Sequence, residues 1–102
     1  MATIKVQLTE ALMSGEDTTK LICFYQEYTE DYPNNNPIIQ CTFDELPARE
    51  FDEGYGGVEG EPTIVFSANF IYVRRVYDGS ERFAVIPRNP QSARFIPLVG
   101  GG

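Results

Sequence analysis

The chain has 102 residues, 15 acids against 8 bases, a net charge of −7 and no histidine. That length holds one domain and one core, burying roughly 65% of the unfolded surface. The absence of histidine excludes Ser–His and Cys–His nucleophile systems, histidine bases and histidine-ligated zinc.

Hydrophobic content of 42% and aromatic content of 13% belong to a folding chain rather than a disordered one. No apolar run approaches the ~18 residues of a membrane span. The opening MATIKVQLTEALM lacks the basic start and unbroken apolar stretch of a secretory signal, so a cytoplasmic protein without a membrane partner is expected. Cys23 and Cys41 both fall in strand-like segments. In that compartment they read as free, buried thiols, with a disulfide between adjacent strands as the alternative.

In chain order, Thr3–Leu8 (TIKVQL) alternates Ile4, Val6 and Leu8 with polar neighbours, which predicts a half-buried strand. Thr9 then reads as the N-cap of one helical turn, TEALM, ending before Gly15. SGEDTT is loop. Lys20–Tyr28 is rich in apolar and aromatic residues and predicts a strand. DYPNNNP is a loop by its prolines and asparagines, and Ile38–Phe43 a short strand. FDELPAREFDE holds a helical turn interrupted at Pro47. Four glycines in Gly54–Pro62 preclude a regular element.

Thr63–Ser67, Phe70–Tyr77 and Arg82–Ile86 are the clearest strands, the last two joined by an Asp78-Gly79 turn. PRNP ends the last strand, since proline donates no ladder bond, and RFIPLV offers a short edge strand. The fold class is therefore mostly β, or α+β. The form expected is an antiparallel sheet of five to seven strands, curled into a small sandwich or barrel, with one or two short helical turns. Residues 1–99 read as one globular domain and GGG at 100–102 as a flexible tail.

Charge is divided along the chain. Residues 1–61 carry −10 and residues 62–102 carry +3, the latter from five arginines: Arg74, Arg75, Arg82, Arg88 and Arg94. A two-residue turn at Asp78-Gly79 sets Arg75 opposite Arg82, and two like charges so placed invite an anion between them. A three-residue turn sets Arg75 opposite Glu81, an ordinary cross-strand ion pair. Sequence leaves both registers open.

The loop EFDEGYGGVEGEP carries Glu50, Asp52, Glu53, Glu59 and Glu61 around Tyr55. Calcium favours such ligands, but EF-hand spacing is absent, and no GK[ST] follows the glycines to cradle phosphate. Neither a metal nor another cofactor is called for. An acidic surface with a tyrosine near its tip suits contact with a basic partner instead. With few catalytic residue types remaining, no enzyme is expected.

The combination of EFDEGYGGVEGEP, VYDGSERF and IPRNP resembles small accessory proteins of bacteriophages and prophages, over about residues 46–90. That resemblance implies a phage-encoded binding protein, anti-CRISPR-like, which occludes a host or defence protein with an acidic face. A self-assembling or virion-associated protein (a homo-oligomer joined acidic patch to basic patch) is one alternative. A small-molecule or nucleotide binder using Arg75 and Arg82 is the other. Direct nucleic-acid binding is disfavoured by the net charge.

Overall fold

A computed structural model describes residues 1–52, 58–77 and 80–89. The turn at Asp78-Gly79, the edge strand expected in RFIPLV and the GGG tail lie outside them.

The described residues form one five-stranded sheet. It contains β1 (Ile22–Tyr25), β2 (Ile39–Cys41), β3 (Thr63–Phe66), β4 (Phe70–Tyr77) and β5 (Ser80–Pro87), in the order β2-β1-β3-β4-β5. Every pairing is antiparallel. The expected mostly-β, antiparallel class is what the chain adopts. The sheet stays open, however. Among the described residues it does not close into a barrel, and the layer packed on it is helical rather than a second sheet.

The main correction falls at the start of the chain. Ile4–Ala11 is not a strand but a helix, α1. Thr3, not Thr9, caps it: the Val6 amide donates to Thr3 Oγ1 at 3.1 Å. Thr9 sits inside the helix and donates its hydroxyl back to the Lys5 carbonyl at 2.8 Å. The apolar alternation that suggested a strand is real in sequence, yet Val6 is 51% exposed. Ile4, Gln7 and Leu8, spaced for one helix face, are the buried residues. Helical structure at FDELPAREFDE is confined to one 3-10 turn, Phe43–Glu45, closed by reciprocal bonds between Thr42 and Glu45. A second 3-10 turn, Thr18–Lys20, is capped by Asp17.

Strand alternation divides the sheet into two faces. Leu21, Cys23, Val65, Tyr72 and Phe83 point inward and meet Ile4 and Leu8 of α1, with Leu46 and Phe51 closing the core. Tyr72 is fully buried. Its hydroxyl donates to Glu16 Oε2 at 2.6 Å and accepts from the Met13 amide at 3.1 Å, tying the end of α1 to the sheet. Cys23 and Cys41 stand directly opposite each other and are free thiols, Cys23 buried and Cys41 half-buried. Burial pushes the Cys23 thiol up to about 12. No helix among the described residues is long and apolar enough to cross a membrane.

Candidate functional site: an acidic groove beside the sheet

The hairpin register decides where the arginines and Glu81 go. Tyr77 pairs with Ser80, so Arg75 faces Arg82 and Arg74 faces Phe83. This is the register of a two-residue turn. The alternative pairing of Arg75 with Glu81 does not occur.

Glu81 instead points into the core, 1% exposed. Its carboxylate accepts the amides of Glu59 (2.7 Å) and Gly60 (2.9 Å) and pairs with Arg74 Nη2 at 3.3 Å. The Arg74 guanidinium lies over the Phe83 ring at 4.5 Å, and burial lowers its pKa against the pull of Glu81. Gly60 lies at a close crossing. A Cβ there would meet Arg74, Glu81 and Phe51, each at 3.0 Å.

Glu81 thus anchors the end of the glycine-rich loop and sets one wall of a groove of about 610 Å³. Val58, Gly60 and Pro62 contribute that wall, and the segment after β1 contributes the other. The second wall is held by side chains that bond to backbone. The Gln26 amide donates to the carbonyls of Asn34 (3.3 Å) and Asn36 (2.7 Å). Asn34 and Asn36 donate back to the Glu27 carbonyl at 3.0 and 3.1 Å. These bonds present Glu30 and Asp31 as exposed acids, beside Tyr32 at 98% exposure.

The acids expected at the contact surface have separate fates. Glu50 and Asp52 are exposed. Glu59 is half-buried, its carbonyl accepting from Arg49 and its amide bonded to Glu81. Glu61 is not a surface acid at all. It is 4% exposed and accepts from Arg49 Nε at 2.9 Å, because Arg49 crosses between the loop and the Tyr28 ring (4.7 Å) and draws it inward. Glu53 and Tyr55 lie outside the described residues. The sequence reading places Asp31 and Tyr32 in a plain loop and assigns Glu30 to no element. The signal available was the two acids next to a tyrosine, flanked by turn-forming prolines and asparagines.

Arg75 and Arg82 form a second cluster, on the opposite face of the sheet from the core. Arg82 Nη1 donates to the Glu81 carbonyl at 2.7 Å. Among the described residues, no group of three or more Cys, Asp or Glu side chains is arranged to hold a metal ion.

No family model, no curated protein and no solved structure matches this chain.

Proposed function

We propose that the chain is a binding protein that works by surface contact, its acidic groove covering a basic surface of a partner protein. The observation that carries this is the groove itself. A concave surface of about 610 Å³ carries the exposed acids Glu30 and Asp31 and an almost fully exposed tyrosine. Tyrosine anchors combine large contact area with a polar tip and recur at binding hot spots. Exposed carboxylates around them steer a basic partner and fix its register more than they add raw affinity. Glu50 and Asp52 add two further exposed acids to the described surface. In the phage setting implied by the resemblance, the partner is a host or defence protein, such as a CRISPR effector, occluded sterically or by mimicry of its nucleic acid.

The test is capture from nuclease-treated bacterial lysate by the wild-type chain and by the E30K/D31K variant. A partner held by wild type, weakened at least tenfold by the variant and lost as salt rises, is the expected result. Equal capture by both chains would remove the groove from the account.

A further inference from the structure

Two thiols face each other at the base of the segment that forms the groove's second wall. Cys23 of β1 and Cys41 of β2 are the only cysteines in the chain, stand directly opposite in the ladder and are both free. Both side chains lie on the core face, Cys23 within the core and Cys41 packed against it. Between them run residues 24–40, which contain Glu30, Asp31 and Tyr32. We infer that Cys23 and Cys41 form a reversible disulfide, a latch that ties edge strand β2 to β1 and closes the loop carrying that wall. The latch does not depend on the groove binding anything. Its effect on recognition rests on the binding reading above.

Backbone register sets the distance between the two cysteines. The Gln26 amide donates to the Pro62 carbonyl at 3.0 Å, so the alternate residues Phe24 and Ile22 also turn their backbone groups towards β3. Cys23 and Tyr25 then turn theirs towards β2. Cys23 and Cys41 are therefore a hydrogen-bonded pair, with Cα atoms ~5.5 Å apart, which is within the disulfide range. The Cβ atoms of such a pair stand roughly 5.5 Å apart, whereas a disulfide brings them to about 3.8 Å. Closure thus moves β2 towards β1 by about 1–2 Å. β2 can move, being an edge strand of three residues with β1 as its one neighbour among the described residues. The strain that remains makes the bond easy to reduce, as in labile regulatory disulfides.

The oxidant is a small-molecule disulfide such as oxidised glutathione. Cys41 reacts first, because it is half-buried at the edge while Cys23 is fully buried. Its thiolate attacks one glutathione sulfur, breaks the glutathione S–S bond and releases one glutathione thiolate. Cys23 then loses its proton and attacks the Cys41 sulfur, releasing the second glutathione. The protein gives up two electrons and two protons, and both end on the two glutathione thiols. Burial, then the Cys41 sulfur beside it, holds the Cys23 thiol up at about 12, while burial and then Glu45 hold Cys41 up. Thiolate fractions are small at neutral pH, so the exchange is slow there and accelerates as pH rises.

Intact-protein mass spectrometry of the full chain, in glutathione buffers of varied oxidised-to-reduced ratio, reads the latch directly. Oxidising buffers should yield a monomer lighter by two hydrogens, and reducing buffers should restore the thiols. Formation should be at least tenfold faster at pH 9 than at pH 7. C23A should stop at a mixed disulfide with one glutathione on Cys41, and C41A should react at least tenfold more slowly at Cys23. The β2 amides of Ile39 and Cys41 should exchange hydrogen at least tenfold more slowly in the oxidised chain. The mass change and its reversal need no substitution, so a variant that fails to fold leaves the test intact. Five outcomes would each overturn the latch. They are no loss of two hydrogens at any ratio, only disulfide-linked dimers, a bond that reduced glutathione does not open, C41A reacting as fast as C23A, or unchanged exchange at Ile39 and Cys41.

Discussion

Replacing Glu81 by leucine removes one side chain and breaks three interactions that hold the groove wall. Glu81 is 1% exposed and the Arg74 side chain 14%, so little water is available to replace what is lost. Breaking a buried ion pair from one side costs about 3–5 kcal/mol, because the remaining charge is left uncompensated. The amides of Glu59 and Gly60 also lose their acceptor, at about 1–3 kcal/mol for each that stays buried. Local opening of the loop lets water reach those amides, so E81L should lose about 3–5 kcal/mol in all. R74M/E81L removes both charges and should recover about 2 kcal/mol of that loss, since the orphaned guanidinium is gone. Urea unfolding of wild type, E81L, R74M and the double variant gives the cycle. Hydrogen exchange should be faster at the Glu59 and Gly60 amides in both E81L and R74M/E81L, which lack their acceptor. A loss below about 1 kcal/mol in E81L, or strictly additive single effects, would refute this reading of the buried pair.

Three further outcomes follow from the same packing. T3A removes the cap of α1 and should cost about 1 kcal/mol with an unchanged urea m-value; no loss would mean that the cap contributes nothing. G60A forces a Cβ against Arg74, Glu81 and Phe51 and should cost about 1–3 kcal/mol by overpacking, read as a lower urea midpoint. Stability should fall at alkaline pH. Tyr72 and Cys23 both have raised pKa values in the fold, Cys23 at about 12, from ordinary values of 10.0 and 9.0. The unfolded chain therefore releases these protons first. Their contribution is complete below pH ~9 and is lost as pH rises towards the folded values. Unfolding midpoints at pH 7, 9 and 10.5 should decline in wild type and decline less in Y72F. Parallel declines would contradict the assignment to Tyr72.

Local pattern carried the strands well. Thr63–Phe66, Phe70–Tyr77 and Ser80–Pro87 are runs of β-branched and aromatic residues broken by turn chemistry, so propensity and tertiary environment agree. It failed at Ile4–Ala11 because Ile4 and Leu8 satisfy both a period of two and an i, i+4 spacing. What separates the two readings is whether Val6 or Gln7 is inside. Gln7 is inside because its amide donates to the Glu81 carbonyl at 2.7 Å, a partner 74 positions away that no local window contains. The same blindness governs the site. Glu50, Glu59 and Glu61 look alike in sequence, yet one is exposed, one half-buried and one buried against Arg49. Their fates depend on where Arg49 and Glu81 lie in three dimensions. The hairpin register is an intermediate case. Both registers were computable from the turn, and the side that Glu81 needs in the core favours the two-residue form.

Photo-crosslinking in bacterial cells tests the binding account most directly. A crosslinking amino acid is placed at Tyr32 in the groove and, separately, at Glu10, an exposed position on α1. The account predicts one dominant crosslinked partner from position 32, lost when Glu30 and Asp31 are changed to lysine, and none from position 10. No adduct at position 32 in cells where position 10 yields one would contradict the groove as the contact surface.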